Sequence, residues 1–152
     1  MRYWLMKTEP SEFGIDDFAN CPDQTEPWDG VRNYQARNMM RDEMKRGDGV
    51  FIYHSNCDVP GVVGTARIAR EGYPDPTAFD PADKHHDPKS DPDHPRWYLV
   101  DVKFERKLRR TITLAELKAQ AALGGMALVR RGNRLSVMPV STEEWDHILS
   151  LE

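Results

Sequence analysis

Val50-Phe51-Ile52-Tyr53 is an unbroken apolar run, entered through Asp48-Gly49 and left through the polar tip His54-Ser55. A run with no polar alternation has no face to give to water. As a strand it belongs in the middle of a sheet, and the chain around it must supply the cover. Residues 2–7 alternate loosely and are rich in aromatics, which predicts a strand with Tyr3, Leu5 and Lys7 on one face and Trp4 and Met6 on the other. Pro10 ends it, and Ser11 opens a short helical turn through Phe18. Residues 19–30 carry two prolines and several acids and read as a loop that delivers Trp28.

From Asn33 to Arg46 the pattern is helical, with Tyr34, Ala36, Met40 and Met44 as the apolar stripe and Gly47 as the stop. Val62 to Arg70 reads as a second strand paired with the first run, and Gly64 marks a bulge or a close backbone approach. The cleanest alternation begins at Trp97: Tyr98, Val100, Val102 and Phe104 face one way, with Asp101, Lys103 and Glu105 opposite. Trp97 and Leu99 then lie off the core face. Thr113 and Glu116 have capping-box spacing before a helix through Ala122. Arg134 to Val140 reads as a last strand. Ser141 and Glu144 cap a C-terminal helix that buries Trp145, Ile148 and Leu149. Five or six strands and three or four helices, neither repeating nor strictly alternating, predict an α+β fold: a curved mixed sheet or small β-barrel surrounded by helices. The 152 residues make one domain, 1–152, with a Pro/Asp-rich loop at 74–95 that holds six of the eleven prolines.

Several function classes lose support at this level. A net charge of −4 argues against a general duplex-coating protein, whose binding rests on many phosphate contacts. No apolar run has the length to cross a bilayer, and the N-terminal patch is too short for a signal peptide, so an intracellular chain with no membrane partner is expected: cytoplasmic, or nuclear in a eukaryote. Cys21 and Cys57 are too few for a disulfide framework; two free thiols are expected and one bond is left open. His85, His86, Asp87 and His94 share the long loop without the spacing of a metal site, so neither metal nor cofactor is expected. His54 and Ser55 face opposite ways on a strand, and no nucleophile elbow or P-loop occurs, so catalysis has no evident residues.

The stretch Trp28-Asp29-Gly30-Val31-Arg32-Asn33-Tyr34-Gln35-Ala36-Arg37-Asn38 is denser in chemistry. Arg32, Asn33, Gln35, Arg37 and Asn38 fall within seven positions, beside a tryptophan and a Gly turn. Two readings stand: a solvated helix start with Asn33 as N-cap, or a slot where the ring stacks on a flat polar ligand and the amides read its edge.

Taken with Trp4-Leu5-Met6-Lys7-Thr8-Glu9-Pro10, Tyr53-His54-Ser55 and Arg134-Leu135-Ser136-Val137-Met138-Pro139-Val140, this stretch resembles the EVE domain family from residue 2 to 150. The family usually has serine at position 8 and often glutamine at position 138. The resemblance implies a PUA-like fold, related to the ASCH and YTH domains, and a non-catalytic reader of a modified base in DNA or RNA. An effector such as a nuclease is a possible partner. A YTH domain places a cage tryptophan where this chain has Arg32, so Trp28, Tyr53 and Trp97 are the candidate cage walls. The base-binding positions implied are Lys7, Thr8, Glu9 and Pro10; Trp28, Gly30, Val31, Arg32 and Asn33; Tyr53, His54 and Ser55; and Trp97 and Ser136. Flanking phosphates would fall to Arg37, Lys103, Arg106, Lys107, Arg109, Arg130, Arg131 and Arg134. On this reading Trp28 serves the pocket and is dispensable to the fold. The other function classes left open are a nucleic-acid-processing enzyme and a protein-interaction domain.

Overall fold

The structure, a computed structural model, describes residues 1–152. Six strands form one open mixed sheet: β1 (Tyr3–Thr8), β2 (Thr25–Pro27), β3 (Gly49–His54), β4 (Gly61–Pro74), β5 (Tyr98–Thr113) and β6 (Val137–Val140), in the spatial order β2-β5-β4-β3-β1-β6. β1 runs parallel to β3, and the other pairings are antiparallel. The continuous apolar run is β3, four strands into the sheet, as its composition requires. Pro27 and Pro139 sit on the two edge strands, where a missing N–H costs no ladder bond.

Alternation along β1 and β3 divides the core. Trp4, Met6, Val50 and Ile52 enter a cluster on one face with Phe18, Trp28, Met40 and Met44. Leu5, Phe51 and Tyr53 enter a second on the other face with Leu108, Ile112, Leu117 and Trp145. Five short helices supply the cover: α1 (Pro10–Phe13), α2 (Ile15–Asn20), α3 (Tyr34–Asn38), α4 (Leu114–Lys118) and α5 (Thr142–Ser150). Asn33, Thr113 and Ser141 cap α3, α4 and α5 as the sequence indicates.

Five expectations need correction. β2 falls where only a loop was predicted; it pairs with β5, and the Trp28 N–H continues that ladder onto the Val100 carbonyl at 2.9 Å. The helix after Asn33 ends at Asn38 and runs into one π turn over Met39–Glu43, with Met39 buried and Tyr34 half exposed, because Tyr34 stacks outward on Trp97. β5 extends to Thr113, past the alternation read as far as Glu105: Leu108 and Ile112 reach the second core cluster and carry the strand through the basic run. Leu99 is buried beside Val100 and Val102, since register shifts between β4 and β5 break strict alternation. The helix from Leu114 stops at Lys118, and β6 begins only at Val137. Gly64 does mark a close approach: a Cβ there would lie 2.5 Å from Ile15 Cδ1 and 2.9 Å from the Arg106 carbonyl oxygen.

The long loop is ordered by its own aspartates. Asp75, Asp80, Asp83, Asp87 and Asp91 each accept the N–H two residues on, forming Asx turns. Asp75 does more. Wholly buried, its Oδ2 accepts from Gly30 N–H and Arg32 Nη1, both at 2.9 Å, and its Oδ1 from Thr77 N–H at 2.9 Å and Thr77 Oγ1 at 2.6 Å. Arg32 then donates through Nε and Nη2 to the His85 carbonyl at 3.2 and 2.7 Å. Gly30 has φ +78°, and a Cβ there would stand 2.5 Å from the His85 ring, so the turn tolerates only glycine.

Burial by itself pushes the Asp75 carboxyl up; the bonds from Thr77, Gly30 and Arg32 outweigh it and hold the group below its ordinary value. A carboxyl depressed in the folded state stabilises above its unfolded value, about 3.9, and loses that contribution as pH falls through the folded one. Asp75→Asn strands the Arg32 guanidinium and is expected to cost about 3 kcal/mol at pH 7. In urea unfolding the gap to wild type should hold above pH 5 and narrow below about pH 3.9; a gap that does not change with pH would contradict this.

Candidate functional site

The C-terminal end of β1, α1, the β2–Trp28–Asp29 segment and residues 83–85 of the long loop enclose a cleft of about 620 Å³. Lys7, Thr8, Glu9, Glu12, Phe13, Glu26, Pro27, Trp28, Asp29, Asp83, Lys84 and His85 line it. Pro10 starts α1, and its fixed φ turns the chain out of β1 at the cleft edge. Trp28 is 8% exposed, with Phe13 and Phe18 packed edge-on at 6.3 and 6.0 Å between centroids. Its indole N–H has no partner within the protein, yet no polar side-chain atom without a partner is fully buried. Trp28 therefore serves both core and cleft, and is not dispensable to the fold.

The charged groups differ in how far the protein has satisfied them. Glu12 and Lys84 pair at 2.7 Å along the rim, and that contact holds the Glu12 carboxyl below its ordinary value. Glu9 accepts from Asn56 Nδ2 at 3.3 Å, and Asp83 accepts the His85 N–H at 2.8 Å. Glu26, partly buried, has no donor and no ion pair; burial first, and then the Asp29 charge, push its carboxyl up. Burial likewise pushes Asp29 up, with the Asp75 charge adding to it. Lys7 is lowered by burial, and its ammonium lies 5.7 Å from the Tyr53 ring centre without a carboxylate partner. A cleft with one ring wall and unmatched acceptors suits a flat, polar, donor-bearing ligand.

The structure brings Lys7, Thr8, Glu9 and Trp28 together and sets the other predicted base-binding residues elsewhere. Trp97 is buried outside the cleft: it stacks on Tyr34 at 4.8 Å, lies under the Arg32 guanidinium and donates its indole N–H to Asp87 at 2.7 Å. Arg32 spends its donors on Asp75, Thr77 and the Val31 and His85 carbonyls. Asn33 is exposed, and its Oδ1 caps α3. Val31 is core, and Gly30 shapes the turn. Tyr53 is buried in the second cluster, where burial raises its hydroxyl to about 12. His54 Nε2 accepts the Ile15 N–H at 3.0 Å, which requires a neutral ring, and burial lowers its pKa accordingly. Ser55 N–H bonds the Thr8 carbonyl and Ser136 accepts the Lys7 N–H, so both fix the end of β1 through their backbone.

The basic residues divide in the same way. Arg106 forks onto Glu152, Lys107 meets Asp16, and Arg110 forks onto Glu116. Arg37 donates to the Arg96 carbonyl and lies over the Tyr34 ring. Lys103 and Arg109 are exposed with no carboxylate partner. Arg130, Arg131 and Arg134 line a second depression with Gln35, Met39 and Leu135. Sequence reasoning missed Glu12, Phe13, Glu26, Pro27, Asp29, Asp83, Lys84 and His85 as cleft residues. Glu26 had a faint signal, its period-2 spacing from Trp28; the loop residues had none, because their place depends on the Asp75–Arg32 latch.

Comparison with known proteins agrees with this architecture. The EVE domain model matches residues 2–151. Thymocyte nuclear protein 1 of zebrafish (Danio rerio) is 50% identical over 166 residues, covering 98% of this chain and 71% of that one. The human protein of that name is 48% identical over 167 residues, covering 99% and 73%. The crystal structure of human THYN1 in complex with 5-methylcytosine-containing DNA superimposes with a TM-score of 0.94 at 46% identity, covering 99% of this chain and 97% of that one. A Pseudomonas putida protein also superimposes with a TM-score of 0.94, at 50% identity and 98% coverage of both chains. The open α+β sheet is thus the PUA-like one, and the chain belongs to the EVE domain family.

Proposed function

We propose that this chain is a non-catalytic reader of 5-methylcytosine in DNA that takes one everted base into the Trp28 cleft. The observation that carries this reading is the match, over nearly the whole chain, to a human protein crystallised with 5-methylcytosine-containing DNA. The chemistry of the cleft is compatible with it. A base inside a duplex hides its pairing edge, so recognition by side chains in a cleft requires eversion. The Trp28 ring supplies a stacking wall and Phe13 an apolar neighbour for a methyl group. Thr8, Lys7 and the cleft carboxylates supply polar groups for the edge. The Thr8 hydroxyl donates to the Phe13 carbonyl at 2.7 Å, which leaves its lone pairs free to accept. A slot for one base needs few phosphate contacts, which accommodates a net charge of −4.

The test is a titration of otherwise identical DNA oligonucleotides carrying cytosine, 5-methylcytosine, 5-hydroxymethylcytosine or N6-methyladenine at one position, followed by tryptophan fluorescence. Saturable binding with preference for 5-methylcytosine over cytosine is expected. Equal binding of all four, or no saturable binding, overturns the proposal. Trp28→Ala would empty part of the core, at about 3–5 kcal/mol, and confuse folding with recognition. Trp28→Phe keeps an aromatic wall and most of the packing. It is expected to weaken 5-methylcytosine binding about three- to tenfold, through lost stacking area and the lost indole N–H, with a melting temperature within a few degrees of wild type.

A further inference from the structure

The proposed reading leaves one discrimination unexplained. Thymine carries the same C5 methyl as 5-methylcytosine and differs along the pairing edge, where O4 replaces the amino group and N3 carries a hydrogen, so only a contact at the 4-position itself meets an acceptor in thymine and a donor in 5-methylcytosine. A wall that senses only the methyl accepts both bases. We infer that Glu26 is the specificity-determining residue that separates 5-methylcytosine from thymine, by accepting a hydrogen bond from the exocyclic N4 amino group. The inference rests on the base-reading proposal and goes further by assigning the edge contact.

Three observations converge on Glu26. Glu26 and Trp28 are two residues apart on an extended segment, the spacing that sends side chains to one face, and both line the cleft. Among the carboxylates there, Glu12 is paired, Glu9 and Asp83 accept protein donors, and Asp29 has His85 Nδ1 at 3.9 Å; Glu26 alone has neither donor nor cation. The wall beside it, Trp28, keeps an indole N–H that meets no acceptor in the protein and is open to solvent, so a ligand on the ring can reach it. A partly desolvated carboxylate without a donor gains most from a ligand that brings one. An N4 amino group brings a donor. The O4 of thymine brings a second acceptor, which leaves two acceptors facing each other and desolvated. The raised carboxyl pKa reflects the same partial burial.

The test uses duplexes that place 5-methylcytosine or thymine opposite guanine in one sequence. The mispaired thymine everts more readily, so any wild-type preference for 5-methylcytosine is measured against that bias. Wild type is expected to prefer 5-methylcytosine. Glu26→Gln, whose amide can either accept from N4 or donate to O4, is expected to reduce that preference about tenfold. Glu26→Ala is expected to weaken 5-methylcytosine binding and to strengthen thymine binding, by removing the acceptor that faces O4. Glu143→Gln, an exposed neutralisation on α5, controls for net charge and is expected to leave the preference intact. A Glu26→Gln protein that folds and keeps the wild-type preference overturns the assignment, as does a Glu143→Gln protein that loses it equally. Wild type binding both duplexes alike overturns the Glu26 assignment and leaves methyl reading standing; wild type binding neither overturns base reading itself.

Discussion

The buried Asp75 carboxylate and the Arg32 guanidinium hold together the parts of this molecule that sequence separates. Asp75 follows β4, whereas Gly30 and Arg32 belong to the turn after β2; four donors, two of them from that turn, converge on the one carboxylate. Arg32 passes the constraint on to the His85 carbonyl, and His85 packs its ring onto Gly30. The long loop is thereby closed down over the turn that carries Trp28, and the cleft gains its third wall. A charge pair buried this deeply adds little if both partners could be replaced by apolar groups. Its consequence here is positional: it sets which face of the loop the cleft sees.

The cleft is acidic, which is unusual for a site proposed to meet DNA. Five carboxylates and two lysines line it. Phosphate would be repelled there, so a nucleotide would have to enter base first, with its backbone left outside. The distribution of basic residues fits that division. Arg106, Lys107 and Arg110 are committed to Glu152, Asp16 and Glu116, and Glu152 is held at about 2 by Arg106 and the Arg109 N–H. Arg130, Arg131 and Arg134 have no carboxylate partner and stand beyond the segment that pins Lys7. Charge that is already neutralised within the fold has little attraction left for a partner, so a count of basic residues overstates the positive surface.

Aromatic residues divide between two tasks. Trp97 and Tyr34 stack on each other between Arg32 and Arg37, and this stack anchors the far end of the long loop through Asp87. Trp28, unlike Trp97, has no protein acceptor for its indole N–H. The indole N–H thus separates the two tryptophans more clearly than their burial does, at 8% and 7% exposure.

The sequence by itself determined the sheet's central strand, the β1 alternation, the caps at Asn33, Thr113 and Ser141, and the close approach at Gly64. Each is written in a local pattern: an apolar run, a period of two, a side chain three residues from the N–H it satisfies, a residue without Cβ. Family resemblance grouped Lys7 and Thr8 with Trp28, and the three line one cleft. Tertiary structure alone decided which polar side chains remain free. Arg32, His54 and Trp97 have the chemistry of ligand-binding groups, and each is spent on a partner between 10 and 53 positions away. Whether a donor or acceptor is already satisfied depends on contacts distant in sequence, and no local pattern encodes them. For that reason Glu26, faint in the sequence, lies in the cleft unpaired while Arg32, conspicuous in it, is occupied.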